Sequence, residues 1–460
     1  MSHQDRDRSH VRSNADCLGL ALGWLLGNAE WSSIRFRDDC TWLPVQLTAT
    51  AILWAWSDEP TLGERLFAAR RIAEHLYQPQ REFAESSQAF LKLLVRWTAL
   101  LVAVVQAALR RRMETALAAS WRVYGFVVFG VDGSRVDLPR TKSHEAVNAP
   151  ARNKQGRKLK RSRRKKPRTK AHTKKANTPQ MWLTLLWHLG TGLPWAWRSG
   201  PTGSSEREHW LQMLSELPAS ALIAADAGFV GYDCLRSVID GGRHVLVRVG
   251  SHVRLLRKLG WAKESAGTVY LWPDRAAQQR QPPLILRLVV AMGGKYPVYL
   301  LTNVSQDRLS DAQVIDVYRR RWGIELYFRH LKQTFQRRKL RSASPDNARV
   351  ELEWSLVGLW CLGLYAQVEL AKQGIEPQQL SMAGVLRAFR RTLRDYLHPV
   401  GRRSLVILLR RATRDRYPRK NKASRDYPRK KQPDPPAGPP EIKIATATQV
   451  RLARELRTAA

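Results

Sequence analysis

Glu325 stands in Tyr318-Arg-Arg-Arg321-Trp-Gly-Ile-Glu325-Leu-Tyr-Phe-Arg-His-Leu-Lys332, an acid flanked at helical spacing by a phenol, a guanidinium and an ammonium. At about 100° per residue, positions 318, 321, 325 and 332 fall within about 60° of one another around a helix axis. One face then presents all four. A carboxylate there can hold a divalent cation while Arg, Lys and Tyr donors grip neighbouring phosphate oxygens, which is the equipment of a metal-dependent phosphodiester site. Charges at i, i+4 and i+7 also line ordinary wet helix faces, so the segment alone leaves both readings open.

Two further acids each follow an apolar run. Gly125-Phe-Val-Val-Phe-Gly-Val131 reads as a buried strand that delivers Asp132 into Gly133-Ser134, and Ala221-Leu-Ile-Ala-Ala225 does the same for Asp226, followed by Ala227-Gly228-Phe229. Acids at strand ends above a sheet are where ligands are met. Asp before Gly is also a common turn signal, so each one separately has a plain structural reading. Three such carboxylates together favour a metal site.

At these residues the chain resembles the Asp-Asp-Glu (DDE) transposases of bacterial insertion sequences, in particular the group with a Tyr-x2-Arg-x3-Glu-x6-Lys (YREK) signature. Tyr318, Arg321, Glu325 and Lys332 fit that spacing without a gap, and Asp132-Gly-Ser134 and Ala225-Asp-Ala-Gly-Phe229 look like the two Asp motifs of the group. The resemblance spans roughly residues 125 to 345. It implies that Asp132, Asp226 and Glu325 are the catalytic metal ligands, and that Tyr318, Arg321 and Lys332 hold the phosphate of the released strand. It also implies an α/β fold with an RNase H-like catalytic core, a small β insertion before the Glu325 helix, and double-stranded DNA as partner, as both transposon ends and target. A homodimer or larger assembly on that DNA is expected with it.

Composition agrees with a polyanionic partner: 78 Lys and Arg stand against 39 Asp and Glu, a formal net charge of +39. The 17 Trp and the 460-residue length set the chain apart from small basic ribosomal or membrane-surface proteins. Cys17, Cys40, Cys234 and Cys361 are scattered without a Cys-x-x-Cys pair, which argues against a zinc site or a disulfide framework and suits a reducing cytoplasm, and the resemblance implies that of a bacterium with the protein at the nucleoid. The apolar runs Trp97 to Leu109 and Ser355 to Val368 read as too short to span a bilayer, and the polar Met1-Ser-His-Gln-Asp-Arg start reads as no signal peptide, so no membrane partner is expected.

Periodicity divides the chain. Residues 1–122 read as a helical N-terminal domain, a possible binder of DNA ends, with helical stretches at 15–57 and 61–120 broken at Ser57-Asp-Glu-Pro60. Residues 123–249 read as the first part of the catalytic core: strand, hairpin, a helix capped by Ser205 and Glu208, the Asp226 strand, a helix over about 231–240 and a strand at 244–249. Within it, Arg152 to Lys175 carries fourteen Lys or Arg residues and reads as a loop too self-repelling to pack, ordered only on a phosphate backbone. Residues 250–308 read as the β insertion, where Trp261 or Trp272 could stack on a flipped base, although core burial is the plainer expectation. Residues 309–345 form the second part of the core with the Glu325 helix, 346–414 a C-terminal helical region, and 415–460 a flexible basic, Pro-rich tail.

The chemistry follows from charge. Phosphodiesters are anionic and resist nucleophiles, so a pair of Mg²⁺ ions about 4 Å apart, replaceable by Mn²⁺, suits an in-line displacement. Asp132 is expected to anchor both ions, with Asp226 and Glu325 completing one shell each. Water as nucleophile leaves a 3′-hydroxyl, which then attacks a second strand. The expected function is therefore metal-dependent cleavage and strand transfer in cut-and-paste transposition. The alternatives are an RNase H-like nuclease that cuts without joining, and a DNA-binding protein that has lost catalysis, which the intact acids disfavour.

Overall fold

The computed structural model describes residues 13–148, 178–292, 296–400, 404–414 and 438–458. The basic segment 152–175 lies outside the described residues.

Four helices come first: α1 (Asn14–Leu26), α2 (Pro44–Trp56), α3 (Leu62–Tyr77) and α4 (Ser87–Ala116). Ser13, Thr61 and Ser86 cap α1, α3 and α4 by accepting a backbone N–H three residues on, and Pro44 opens α2. Each of the two expected helical stretches is thus broken once more than periodicity indicates. One break comes at the irregular 27–43 segment, and the other where Gln78 ends α3 in the left-handed region at φ 40°.

A ten-stranded sheet follows. Its strands are β1 (Val128–Asp137), β2 (Gln180–His188), β3 (Leu193–Pro201), β4 (Leu222–Ala225), β5 (His244–Val249), β6 (Arg254–Arg257), β7 (Thr268–Leu271), β8 (Leu284–Ala291), β9 (Val298–Thr302) and β10 (Glu441–Ile444). Between them lie α5 (Lys142–Asn148), α6 (Glu206–Met213), α7 (Tyr232–Asp240) and α8 (Asp274–Gln278). The spatial order is β10-β6-β7-β8-β9-β5-β4-β1-β2-β3. β1 runs parallel to β4 and β4 to β5, while β2 is antiparallel to both β1 and β3. All four residues of β4 are buried, as expected of a central strand covered on both faces.

Residues 250–308, read in the sequence as a small β insertion, add β6 to β9 to this sheet, with β9 paired antiparallel to β5. The expected flexible tail also needs correction. Glu441–Ile444 adds to the β6 edge, with Glu441 N donating to Val253 O at 3.0 Å and Ala445 N to Arg257 O at 2.8 Å. An open strand edge offers unpaired backbone groups, and this segment satisfies them. Trp272 is a core residue, 4% exposed, with its indole N–H donated to Gln281 O.

After the sheet come α9 (Asp311–Arg320), α10 (Gly323–Arg329), α11 (Pro345–Ala371), α12 (Met382–Arg394), α13 (Leu405–Arg410) and, beyond β10, α14 (Ala447–Thr458). The N- and C-terminal helices, read separately in sequence, pack into one bundle around α11. Indole N–H groups fix the seams: Trp56 donates to Gly358 O at 2.9 Å and Trp354 to Thr98 Oγ1 at 2.9 Å. Arg337, 2% exposed, ties the same bundle to the core by bonding Ser355 Oγ and Ala55 O. Helices α4 and α11 are long and apolar enough to cross a bilayer by length and composition, which corrects the expectation that such runs stop short. In α11, 83% of the most apolar window is buried inside the bundle, and in α4, 33%.

Candidate active site

Register across the parallel β1–β4 ladder sets the first two acids. Val131 pairs with Ala225, so the next residues, Asp132 and Asp226, stand at the same level on neighbouring strands, which lie about 4.8 Å apart. β1 is buried from Val128 to Val131 and half-buried from Asp132 to Arg135, so the chain leaves the core at Asp132. Only Asp226 sits at a true strand end. Asp132 is mid-strand on its other side, paired opposite Leu185 of β2. Each carboxylate is oriented by local backbone: Asp132 Oδ1 accepts from Gly133 N at 2.8 Å, and Asp226 Oδ1 accepts from Gly228 N at 2.8 Å.

Arg321 connects Glu325 to this pair. Its Nη2 donates to Glu325 Oε1 at 3.2 Å and its Nη1 lies 3.7 Å from Asp132 Oδ2. The side chain is mostly buried, its stem running close to Gly130, where an added Cβ would sit 3.7 Å from Arg321 Cγ and 3.0 Å from Leu189 Cδ1. Gly130 precedes Asp132 by two residues and shares its face of the strand, so the small residue there gives the guanidinium its approach.

The helix carrying these groups departs from the single straight face that spacing suggests. α9 ends at Arg320, and i to i+3 bonds such as Trp322 N to Arg319 O and Ile324 N to Arg321 O tighten the chain before α10 begins at Gly323. Gly323 packs close to Trp187 of β2, where a Cβ would meet the indole nitrogen at 3.1 Å. Beyond α10, His330–Thr334 forms a π turn, whose wider winding resets the angle of Lys332. Lys332 Nζ still reaches β1, donating to Ser134 Oγ at 2.6 Å. Tyr318 lies beside Arg321, whose guanidinium carbon is 5.6 Å from the ring centroid. Arg321 thus links Asp132, Glu325 and Tyr318, Asp226 stands beside Asp132 by register, and Lys332 reaches β1 two residues beyond Asp132. Arg321 and Lys332 both have protein partners here.

Electrostatics record the crowding. Burial pushes the Asp132 carboxyl up to about 6, against the pull of Gly133 N–H and Arg321, and the charges of Asp226 and Glu325 push the same way as burial. Burial opposes charge on Arg321, yet Tyr318, Asp132, Glu325 and Asp226 together raise its pKa. Burial raises Tyr318 and lowers Lys332.

Sequence reasoning missed Glu206, the first residue of α6. Its carboxyl is pushed up to about 7 by burial and by Asp132 and Asp226, with Arg135 opposing. An acid in the first turn of a helix ordinarily reads as a dipole partner, which hid it. Ser134, the partner of Lys332, was likewise legible only as a turn residue.

The donor set of Asp132, Asp226 and Glu325 is all carboxylate oxygen, which suits a hard divalent cation. Arg321 Nε is a buried donor with no hydrogen-bond partner beside them. Among the described residues no three metal-ligating side chains form a ready-made cage. The guanidinium of Arg321 sits between Asp132 and Glu325 and is the positive charge that holds them.

The family model described as the transposase DDE domain matches residues 125–361, just over half of the chain. Over 219 residues the chain is 29% identical to the transposase InsG for insertion sequence element IS4 of Escherichia coli K12, a match covering 45% of this chain and 48% of that protein. The aligned part thus spans about half the length of that curated relative. A solved structure, the piggyBac transposase synaptic complex with hairpin DNA, aligns with 87% of this chain and 86% of its own at 11% identity and a TM-score of 0.39. The matched span holds Asp132, Asp226 and Glu325, and by it the chain belongs to the transposase DDE domain family.

Proposed function

We propose that the protein is the DNA transposase of an insertion sequence, binding the element's ends and carrying out divalent-metal-dependent phosphodiester cleavage and strand transfer. One observation carries the reading: parallel register places Asp132 beside Asp226, and Arg321 draws Glu325 to the same point. The strand order β3-β2-β1-β4-β5, with β2 antiparallel to its neighbours, supports an RNase H-like core. The net charge of +39 supports a DNA partner.

Asp132, Asp226 and Glu325 are the groups that would hold the cations. Bound Mg²⁺, or Mn²⁺ in its place, supplies the Lewis acidity that activates the attacking oxygen and stabilises the leaving one. Arg321 keeps Asp132 and Glu325 together and has a spare buried N–H at Nε for a phosphate oxygen. Lys332, held against Ser134, and the Tyr318 hydroxyl flank the same point and complete the phosphate grip of a YREK-type signature. Burial around Asp132 and Tyr318 limits water, which strengthens each of these interactions. Action as a dimer or larger assembly on DNA, in a bacterial cytoplasm at the nucleoid, goes with this reading.

The test uses a labelled duplex carrying the inverted repeats that flank the coding region, incubated with purified protein and Mg²⁺. Cleavage followed by joining to a second duplex is expected, with Glu325→Gln abolishing both and retaining end binding. Cleavage without joining selects the nuclease, and normal cleavage by Glu325→Gln removes the catalytic assignment.

A further inference from the structure

The turn that leads into β1 has a backbone conformation that its first residue does not suit. Val123 N donates to Phe126 O at 2.8 Å and Phe126 N to Val123 O at 3.1 Å, closing a two-residue turn over Tyr124 and Gly125. Both turn residues are left-handed, Tyr124 at φ 50° and Gly125 at φ 82°. Such turns favour Asn, Asp or Gly, because a bulky side chain at positive φ is strained. Gly125 meets that demand and Tyr124 does not. Strain of this kind persists only where the surrounding structure imposes it, and it gathers at functional sites.

The Tyr124 side chain reaches α9. Its ring is 42% exposed, so core burial does not account for it, but its hydroxyl donates to Asp316 Oδ2 at 2.9 Å. The same oxygen accepts Arg320 Nε at 2.9 Å, and the Arg320 guanidinium carbon lies 6.0 Å from the centre of the Tyr124 ring. Asp316 and Arg320 belong to α9, and the next residue is Arg321. Phe126, on the far side of the turn, adds a second contact, because Arg308, just before α9, lies over its ring at 5.0 Å. α9 therefore runs along the β1 segment pinned at two points. Residue 316 is held at Tyr124, and residue 321 at Gly130 and Asp132. The height of α9 along β1 decides whether one guanidinium can span Asp132 and Glu325, and the Tyr124 pin fixes that height from outside the acids.

We propose that Tyr124 is a positioning residue for the reaction: its hydroxyl fixes Asp316 and Arg320, and so sets α9 where Arg321 spans Asp132 and Glu325. This rests on the reading of the site given above. A residue of the favoured type would make the turn with less strain and leave α9 without this pin. Tyr124 acts through α9 and holds none of the reacting groups itself.

The test compares Tyr124→Phe, which keeps the ring and the strained turn, with Tyr124→Asn, which suits the turn but is too short to reach Asp316. Single-turnover cleavage of the duplex bearing the element's ends is measured with Mg²⁺ on the full chain, beside thermal unfolding in chelator and hydrogen exchange over residues 316–325 without DNA. Both variants are expected to cleave about tenfold more slowly at saturating duplex, since slight misplacement of a reacting group is costly. The half-saturating duplex concentration should stay within about twofold of wild type. Tyr124→Asn should unfold at or above the wild-type temperature although it cleaves slowly, a separation that a purely structural residue would not show. Exchange over 316–325 should quicken in both. On an Asp316→Ala background, Tyr124→Phe should add less than about a twofold loss, because the hydroxyl has no partner left. Cleavage by both variants within about twofold of wild type, or unchanged exchange over 316–325, overturns the inference and leaves the catalytic assignment standing. Slower cleavage that only tracks a lower unfolding temperature also overturns it and assigns Tyr124 to stability alone. Failure of the wild-type chain to cleave overturns the proposed function, and this inference with it, and is told apart from the other outcomes by the wild-type result.

Discussion

Arg321 holds two of the three acids, and replacing it by Met should reveal what its charge does. The Met side chain keeps an apolar stem in the space beside Gly130 and removes only the guanidinium. Arg321 is 9% exposed, and its partners lie at 3.2 Å (Glu325) and 3.7 Å (Asp132). At such separations each pair is worth about 4 kcal/mol at an effective dielectric constant of about 20. Desolvation of the guanidinium offsets much of this, and the Glu325 side chain, 35% exposed, is partly screened. Loss of one member of a buried network then leaves a net destabilisation of about 3 kcal/mol in metal-free protein. Urea unfolding measured in chelator and again in saturating Mn²⁺ separates the causes. With Mn²⁺ the deficit should fall below about 1 kcal/mol, because a cation between the carboxylates takes over the neutralising role. An equal deficit under both conditions would show that no cation settles there, and the reasoning would fail.

Other outcomes follow from the same geometry. Lys332→Ala removes the ammonium held against Ser134, the proposed phosphate donor, and should slow cleavage on the order of a hundredfold, less than Glu325→Gln; equal losses in single-turnover assays would argue against separate roles. The raised carboxyls fix a pH dependence. Asp132 at about 6 and Glu206 at about 7 bind protons in the folded state that they release when unfolded, so metal-free stability from these groups is greatest below about pH 4 and is lost as pH rises through 6 to 7. Mn²⁺ held by Asp132 requires its ionised form, so the apparent affinity should climb as pH rises to about 6 and level off above it. Calorimetry at a series of pH values measures this, and an affinity that is flat between pH 5 and 8 contradicts it.

The acids were legible because strand-end placement and helical spacing are properties of short segments. Asp226 and Glu325 needed only the runs around them, and the pairing of Val131 with Ala225 then brought Asp132 alongside. The straight helix face was a poorer guide. It took no account of the tightened turns at Arg321–Trp322 or the π turn at His330–Thr334, both shaped by packing against β1 and β2. Glu206 was hidden for a different reason: its side chain lies over the backbone of Gly133, a contact that appears only when α6 is laid on the sheet. Long-range pairing also set what the flanks became. β10 finds the β6 edge from nearly two hundred residues away, and the terminal helices meet around α11, neither of which local periodicity encodes.

β1, the turn after β4 and α10 are proposed to surround one cation site, and Fe²⁺ bound in place of Mg²⁺ tests this most directly. With added hydrogen peroxide, bound Fe²⁺ reduces the peroxide to hydroxide and a hydroxyl radical that cuts the nearby backbone, ascorbate returns Fe³⁺ to Fe²⁺, and mass spectrometry maps the cuts. Cuts are expected to cluster near residues 132, 226 and 325 together, to be suppressed by excess Mg²⁺ and to be absent in Asp132→Asn. Cuts elsewhere, or at only one of the three segments and unaffected by Asp132→Asn, would contradict it.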